Sequence, residues 1–176
     1  MTTTRPTDPV VLITGVTGNT GPAVAASFAA DGARLGLGGS DRGRIEALAR
    51  DLALPDDRWA AAVADFRDPA SARAAVSGVV ERFGRIDVLA HMIGGWTGGT
   101  PVVELDATAI NGMLDPHLWA TLNVVQAVLP GMVERGWGRV VAVSSPFAAK
   151  PVVGGGAYAI AKSAEEIGRA SCRERV

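Results

Sequence analysis

The only tyrosine of the chain, Tyr158, precedes one of its two lysines, Lys162, by four residues. Side chains at this spacing lie on one face of a helix, and the sequence pattern predicts a helix from about Ala157. An ammonium group beside a phenol favours the phenolate, so the pair could exchange a proton with a substrate oxygen as a general acid or base. A surface tyrosine packed against a lysine side chain is the alternative that this pair alone leaves open.

A glycine-rich turn near the start of the chain could hold a phosphate group. An apolar run at residues 10–13 is followed by Gly15, Gly18 and Gly21, and then by a helical pattern. When a strand, a glycine turn and a helix follow in this order, backbone N–H groups and the helix N-terminus can face a bound pyrophosphate. The spacing is not that of the G-x-G-x-x-G fingerprint, so a tight turn that binds nothing remains an alternative.

The elements that must position these groups are strands that alternate with helices. We predict strands at residues 10–13, 33–37, 59–63, 86–93 and 139–144. Helical crossovers between successive strands give a parallel sheet covered on both faces, which predicts a Rossmann-like, doubly wound α/β fold with three αβα layers. Ligands bind beyond the carboxyl ends of such strands. The glycine turn, Asp65, Gly94-Gly95 and Ser144-Ser145 are therefore expected at one edge of the sheet.

Local signals predict where the elements begin and end. Gly32 is placed to end the first helix, and the second strand ends in residues 38–41. Asp68-Pro69 predicts a helix start, Gly84 its end, and Asp115-Pro116 another helix start. The predicted apolar helix faces consist of Ile45, Leu48, Ala49 and Leu52; of Val76, Val79, Val80 and Phe83; and of Leu118, Leu122, Val125 and Leu129.

The composition is that of one ordinary globular domain. The 176 residues are 48% hydrophobic and 20% charged, which argues against disorder. A net charge of −1 predicts no nucleic-acid surface and no polybasic membrane patch, and no apolar run approaches the roughly 20 residues of a transmembrane helix. The polar start of the chain predicts no secretory signal, and the single cysteine, Cys172, indicates a reducing compartment, so we expect a cytoplasmic protein. We predict no metal site.

In order and spacing, the motifs resemble the short-chain dehydrogenase/reductase family. The resemblance rests on residues 14–21, Asp65, residues 87–95, Ser145 and Tyr158-x-x-x-Lys162, and it covers residues 10 to about 166. It implies the strand order 3-2-1-4-5 and hydride transfer between NAD(P)(H) and a small carbonyl or alcohol substrate. It further implies a homo-oligomer.

The resemblance also implies roles for individual side chains. Tyr158 would donate a proton to the developing alkoxide, Ser145 would hydrogen-bond the substrate oxygen, and Lys162 would favour the phenolate and hold the nicotinamide ribose. His117 joins this catalytic set by its position. The cofactor-binding residues would be Gly15, Thr17, Gly18, Asn19, Thr20, Gly21, Ser40, Arg42, Asp65, Phe66, Gly94, Gly95, Tyr158 and Lys162.

Three positions depart from the family pattern. Asn19 stands where compact members usually carry glycine, and asparagine tolerates a left-handed backbone better than most residues. His91 begins a His-Met-Ile-Gly segment where the family has Asn-Asn-Ala-Gly. His117 aligns with the asparagine that usually completes the catalytic set, and it could hold a relay water, act as a titratable group or take no part in catalysis.

The end of the second predicted strand indicates which cofactor is preferred. An acidic residue there would hydrogen-bond the ribose 2′-hydroxyl and favour NAD. Gly38, Gly39 and Ser40 supply no carboxylate, and Arg42 is close by, so we predict NADP over NAD. Asp41 would reverse this preference if it faced the ribose.

The last ten residues do not continue the pattern of the helix that contains Lys162. Residues 167–176 carry no apolar stripe, bring Cys172 and three arginines together, and resemble a translated sequencing-library adapter. We therefore expect one NAD(P)-binding domain at residues 1–166, truncated, and a non-native tail at 167–176; a genuine basic tail is the alternative. The resemblance implies two further strands and a substrate-covering segment, so the fifth strand would lie at an exposed edge.

Two other functions remain open. His91 and His117 suggest a catalytically silent dinucleotide-binding sensor or scaffold, although the intact Ser145, Tyr158 and Lys162 argue against it. The spacing of the glycine turn suggests an epimerase or dehydratase with a tightly bound cofactor, which the short chain fits poorly.

Overall fold

The computed structural model describes residues 6–171. Five parallel strands form one sheet in the order β3-β2-β1-β4-β5, so the predicted doubly wound α/β fold and its strand order are confirmed. The strands are β1 Val10–Thr14, β2 Arg34–Gly39, β3 Trp59–Val63, β4 Val88–His91 and β5 Arg139–Ala142. The helices are α1 Gly21–Ala30, α2 Arg42–Asp51, α3 Pro69–Phe83, α4 Ala107–Leu114, α5 Ala120–Glu134 and α6 Gly156–Ser171. Cys172 and the end of the predicted tail lie outside the described residues.

The core consists of one apolar layer on each face of the sheet. Successive side chains of a strand point to opposite faces, so Val11 and Ile13 pack under α1 and α2 while Val10 and Leu12 pack under α3 and α5. All four are fully buried. Near-continuous apolar strands of this kind are typical of a parallel sheet covered on both sides.

Several predicted boundaries are confirmed. β3 has the predicted limits, and α3 begins at Pro69, where the Asp68 carboxylate accepts a hydrogen bond from the Ser71 N–H at 2.6 Å. Gly84 ends α3 with φ +81°, and Gly32 follows α1 with φ +77°, a conformation that glycine adopts without strain.

Other boundaries are wrong. The second strand is predicted at residues 33–37, but β2 also includes residues 38 and 39. A Cβ on Gly38 would lie 3.0 Å from the Ile13 carbonyl oxygen, so a close backbone approach needs glycine here. β4 and β5 are shorter than predicted, ending at His91 and Ala142. Val80, predicted in the apolar face of α3, is 39% exposed, because it lies at the margin of that face.

The predicted helix start at Asp115-Pro116 is also wrong. The helical segment begins earlier, at Ala107, where the Asp106 carboxylate accepts a hydrogen bond from the Ala109 N–H at 2.8 Å. Asp115–Trp119 is a π-helical turn between α4 and α5. A π turn inserts an extra residue and so rotates the side chains that follow it.

The predicted apolar face of α5 is wrong in part. Of the four predicted members, Leu118, Leu122, Val125 and Leu129, only Val125 is buried. The buried residues of α5 are Ala120, Thr121, Asn123, Val124, Val125, Val128 and Met132.

Residues 6–171 contain neither a membrane-spanning helix nor a metal-binding group of side chains. None of the helices within residues 6–171 has the length and apolar composition needed to cross a membrane. In the same part of the chain, no three His, Cys, Asp or Glu side chains are grouped so that they could bind a metal ion.

Candidate active site

The glycine turn after β1 requires glycine at its first and last positions. Gly15 has φ +73°, and a Cβ there would lie 2.9 Å from the backbone of Met92 and Ile93. A Cβ on Gly21 would lie 2.1 Å from the Val16 carbonyl oxygen. The turn therefore lets β1, β4 and α1 approach more closely than side chains would allow.

Asn19 does not adopt the left-handed backbone conformation that asparagine tolerates better than most residues. Among the described residues, Ala53 is the only non-glycine residue with positive φ. The backbone at Asn19 is therefore compatible with most residue types, and the departure from glycine at this position introduces no strain.

The N-terminus of α1 is open to a ligand. Its N-cap residue, Thr20, makes no side-chain capping bond, and Pro22 in the first turn has no N–H group. Backbone N–H groups of a first helical turn that lack a side-chain cap can bind an anion, and the helix dipole favours negative charge there.

A cavity of about 430 Å³ opens beside this turn at the carboxyl edge of the sheet. Seven residues predicted to bind the cofactor line it: Gly15, Thr17, Gly18, Ser40, Asp65, Phe66 and Gly94. The cavity lining does not include the other seven predicted residues, which are Asn19, Thr20, Gly21, Arg42, Gly95, Tyr158 and Lys162.

Eight further residues of the lining were not predicted. They are Gly39, Ala64, Arg67, Met92, Ile93, Gly112, Pro116 and Ala120. Five of them follow or end a strand at the same edge as the predicted residues, so the rule that ligands bind at the carboxyl ends of strands could have identified them. The last three lie on the helical segment whose start was misplaced.

Asp65 and Arg67 form an ion pair at the mouth of the cavity. The Asp65 carboxylate accepts hydrogen bonds from Arg67 Nε at 2.8 Å and from Arg67 Nη2 at 2.7 Å. These bonds from Arg67 hold the pKa of the Asp65 carboxyl below its ordinary value. The neighbouring Phe66 is a core side chain, and its backbone carbonyl accepts a hydrogen bond from Asn123 Nδ2 at 3.1 Å. Asn123 thereby ties this loop to α5.

The residues after β2 have separate contacts. The Asp41 carboxylate caps α2 by accepting a hydrogen bond from the Arg44 N–H at 3.0 Å. The Arg42 guanidinium is mostly exposed and lies 3.7 Å from the Glu46 carboxylate. Arg44 Nη2 donates to the Thr17 carbonyl oxygen at 2.6 Å, so Arg44, which was not predicted, lies against the glycine turn.

Tyr158 lies among aromatic rings at the same edge of the sheet. Its ring centroid is 4.9 Å from that of Trp96, 5.4 Å from that of His117 and 6.4 Å from that of Phe147. The Phe147 N–H donates to Ser145 Oγ at 3.3 Å in the turn that follows β5. The fold thus brings Tyr158 and His117 together, and it places the Ser145 loop next to them.

Lys162 is buried on the same helix, with 4% of its surface exposed. Its ammonium group donates to the Val143 carbonyl oxygen at 2.8 Å and to Glu165 Oε2 at 2.8 Å. Glu165 was not predicted as a site residue. Its position three residues after Lys162, on one helix face, is the signal that could have identified it.

His117 is carried by the π turn and is also buried. Its Nε2 lies 2.9 Å from the Gly95 carbonyl oxygen, and its Nδ1 lies 3.5 Å from Glu165 Oε2. Gly95, predicted to bind the cofactor, therefore contacts His117. The Thr121 hydroxyl donates to the His117 carbonyl oxygen, which satisfies a backbone group next to the π turn.

The environment of Glu165 combines opposing effects on its pKa. Burial raises the pKa of this carboxyl, but the nearby His117 and Lys162 side chains outweigh burial and leave the pKa below its ordinary value. Glu165 is therefore an ionised, buried carboxylate at neutral pH.

His91, at the end of β4, is a neutral imidazole. Its Nδ1 lies 2.7 Å from Thr14 Oγ1, and its Nε2 is buried without a hydrogen-bond partner among the described residues. Burial, together with the charges of Lys162 and His117, lowers the pKa of His91 to about 4, against a smaller opposing effect of Glu165. His91 is thus part of the interior beneath the site.

Comparison with known proteins gives consistent matches. Residues 9–168 match the family profile described as short chain dehydrogenase. Oxidoreductase UcpA of Escherichia coli K12 is 37% identical over 161 residues, which cover 90% of this chain and 60% of that protein. (2S)-[(R)-hydroxy(phenyl)methyl]succinyl-CoA dehydrogenase subunit BbsC of Thauera aromatica is 36% identical over 135 residues, which cover 77% of this chain and 53% of that protein. The chain thus spans little more than half the length of these curated relatives.

Solved structures agree with the sequence matches. Levodione reductase superposes with a TM-score of 0.88 at 32% identity, covering 97% of this chain and 67% of that one. The F189W variant of actinorhodin polyketide ketoreductase with NADPH superposes with a TM-score of 0.82 at 28% identity, covering 89% and 60%.

Proposed function

Because the chain belongs to the short-chain dehydrogenase family, we propose that it contains the cofactor site and the catalytic residues of an oxidoreductase acting on a carbonyl or alcohol with NAD(P)(H). One observation carries the proposal. Tyr158, His117 and the Ser145 loop meet beyond the carboxyl ends of β4 and β5, and Gly94 lies between His117 and the cavity of the glycine turn.

The residues present fit a dinucleotide. Gly15, Thr17 and Gly18 of the glycine turn line the cavity, and the first turn of α1 has no side-chain cap to compete with a pyrophosphate. When bound, the cofactor supplies or accepts the hydride. In the reducing direction, Tyr158 would give its phenolic proton to the substrate oxygen as the carbonyl π bond breaks. Ser145 donates a hydrogen bond to that oxygen, and Lys162 stabilises the phenolate that Tyr158 becomes.

The proposal is tested with Tyr158→Phe. The variant should keep NADPH affinity within a few-fold and lose turnover in NADPH-dependent reduction of a panel of ketones, since general acid–base catalysis contributes about 10²–10⁴-fold. Ser145→Ala should also lose turnover, whereas Ser144→Ala is the matched control. Retention of more than about a tenth of kcat by Tyr158→Phe would contradict its role. NADPH binding by the wild type without any turnover would favour the silent sensor.

We also propose NADP as the preferred cofactor. Gly39 and Ser40 line the cavity without a carboxylate, and the Asp41 carboxylate is engaged as the cap of α2. Arg42 and Arg44 supply positive charge near that position. Titration with NADP and NAD should show tighter NADP binding that weakens in Arg42→Ala and Arg44→Ala. Equal affinities would contradict the preference.

The extent of the native chain is part of the proposal. We propose one NAD(P)-binding domain at residues 1–166, a non-native tail at 167–176 and a natural chain that continues, in keeping with the part of its relatives that the chain spans. Sequencing the source locus beyond codon 166 tests this, and turnover is best measured on the chain so obtained. A cytoplasmic location and a homo-oligomeric state stay predictions.

A further inference from the structure

Three ionisable side chains are buried together beside Tyr158. His117, Lys162 and Glu165 are 1%, 4% and 3% exposed, respectively. A charge removed from water costs several kcal/mol unless it is paired. Glu165 Oε2 lies 2.8 Å from Lys162 Nζ and 3.5 Å from His117 Nδ1, so a single carboxylate oxygen faces both nitrogen groups.

The fold uses two of the three N–H donors of Lys162. One donates to the Val143 carbonyl oxygen just beyond β5 and another to Glu165, each at 2.8 Å. These two bonds hold the ammonium from two different elements. One N–H therefore remains for a group in the site, and its direction is fixed by the other two.

Oxygen atoms lie near both ring nitrogens of His117. Nε2 lies nearer to the Gly95 carbonyl oxygen, at 2.9 Å, than to the Gly95 N–H nitrogen, at 3.3 Å, which favours Nε2 as a donor. Nδ1 is buried and makes no hydrogen bond among the described residues, but the Glu165 carboxylate lies 3.5 Å from it, at ion-pair distance. A neutral imidazole has one N–H and would leave one of these acceptors facing a lone pair. The doubly protonated ring has an N–H for each acceptor and a positive charge that pairs with the Glu165 carboxylate.

The His117 ring also fits tightly between its neighbours. A Cβ on Gly94 would lie 2.6 Å from its Cε1, so the backbone of Gly94 forms one wall of its site. Tyr158 contacts the ring edge to face, at 5.4 Å between centroids and 82° between planes. The imidazole is therefore held sterically as well as by charge.

We infer that Glu165 is a positioning residue of this site, whose buried carboxylate holds the His117 imidazolium and the Lys162 ammonium in place beside Tyr158. The catalytic part of this inference rests on the proposed function. A Lys162–Glu165 pair alone is neutral and would stabilise a phenolate weakly. With His117 protonated the three groups carry a net positive charge, as a single lysine would, so the histidine compensates for the carboxylate.

The groups that face His117 come from two elements. Glu165, Lys162 and Tyr158 belong to α6, and the neutral His91 ends β4. Of these, Glu165 is the one anion, so it is the group whose removal should change the protonation of the His117 ring.

Side-chain 15N NMR of the 176-residue chain tests the inference without any assay of activity. The chain has only two histidines, so His91→Asn and His117→Asn variants assign both rings. At pH 7 we expect His117 protonated on both nitrogens in the wild type and on one in Glu165→Gln. Glu166→Gln is the matched control, because the adjacent Glu166 contacts Ser144 instead and should leave the ring unchanged.

Glu165→Asp keeps the negative charge, and it can be measured even if Glu165→Gln does not fold. It should retain the doubly protonated ring. A neutral His117 in the wild type, or a ring that Glu165→Gln does not alter, would overturn the inference whatever the activity of the protein.

Kinetics then test the catalytic part. On the chain with turnover, Glu165→Gln should lower kcat by about tenfold or more while the NADPH Kd stays within a few-fold, and Glu165→Asp should recover part of the loss. In a His117→Asn background the same substitution should cost distinctly less, because interacting residues are not additive. If the losses of kcat from Glu165→Gln and His117→Asn are additive, Glu165 has a structural role only. Absence of wild-type turnover would instead contradict the proposed function and leave the NMR result standing.

Discussion

Gly94 is the residue at which the smallest change should disturb the site. A methyl group there would meet His117 Cε1 at 2.6 Å, whereas a methyl group on the adjacent Gly95 would have no atom within 4 Å. Gly94→Ala should therefore displace the imidazole and lower kcat by about tenfold or more, since misplacement by about 1 Å can cost roughly 10²-fold. Gly78→Ala in α3 is the control, because an added Cβ there also meets nothing within 4 Å, and it should behave like the wild type in the same assay and in the NMR spectrum.

His91 should make the stability of the fold depend on pH. The pKa of His91 is about 4 in the folded chain, against an ordinary 6.5, so between these values the unfolded chain binds a proton that the folded chain excludes. The stabilising contribution of the neutral His91 side chain to the free energy of unfolding is therefore complete above about pH 6.5, and it is lost progressively as the pH falls toward 4. The shift corresponds to about 3 kcal/mol over the whole interval.

Urea unfolding at pH 7.5 and pH 5 measures this dependence. The wild type should be less stable at pH 5, and His91→Asn, which removes the titrating ring, should lose clearly less between the same two values. The Glu165 carboxyl, whose pKa is lowered, titrates below this interval and should contribute little to the difference. An equal loss in the variant would show that other groups cause the pH dependence.

At the scale of elements, the turn between β1 and α1 should tolerate no side chain at its last position. A Cβ on Gly21 would lie 2.1 Å from the Val16 carbonyl oxygen, so Gly21→Ala must move the start of α1. We expect a loss of about 1–3 kcal/mol in the free energy of unfolding, as for other overpacked sites, and weaker NADPH binding.

Gly78 offers the matched control for that measurement. It lies within α3, where an added Cβ would meet nothing within 4 Å. Gly78→Ala should raise the free energy of unfolding by up to about 1 kcal/mol, because alanine is the better helix former. A loss of stability in both variants, or in neither, would contradict the explanation given for Gly21.

Elements with strong local signals could be predicted from the sequence. Asp68 accepts a backbone hydrogen bond within its own turn, and Gly84 adopts a left-handed conformation that other residues avoid, so both act through a few neighbouring residues. The strand order could be predicted from the family resemblance, because members of one family share the arrangement of the helical crossovers between strands. The motifs at Tyr158 and Gly15 were found for the same reason, since each is carried by a short stretch of chain.

The rest depended on contacts between distant segments. Asp115-Pro116 has the composition of a helix start, yet α4 already precedes it, and a π turn forms there. Glycine is unfavourable within a strand, so the second predicted strand ends before Gly38, and only the close approach of β1 explains its place in β2. A glutamate on a helix is expected at the solvent-exposed face. Only the packing of α6 against the π turn buries Glu165 and brings it close to His117.

At the scale of the whole molecule, the two faces of the sheet are covered unequally. Val141 of β5 pairs with Ala90, which belongs to the apolar cluster under α1 and α2, so Val141 points to that same face. Val141 is nevertheless 57% exposed and Val143 is 50% exposed. β5 is also the last strand in the sheet order. An apolar edge strand is a site at which chains can associate.

We therefore predict that the 176-residue chain associates through β5. A variant with Val141→Lys and Val143→Lys should shift the protein toward the monomer in sedimentation velocity, because charged side chains on an edge strand oppose pairing with another chain. Its thermal melt should change little, since both side chains are half exposed or more. Val102→Lys with Val133→Lys is the control, because these valines are 78% and 50% exposed but lie off the sheet. An equal shift in the control would show a general effect of added charge, and no shift in the β5 variant would place the association elsewhere.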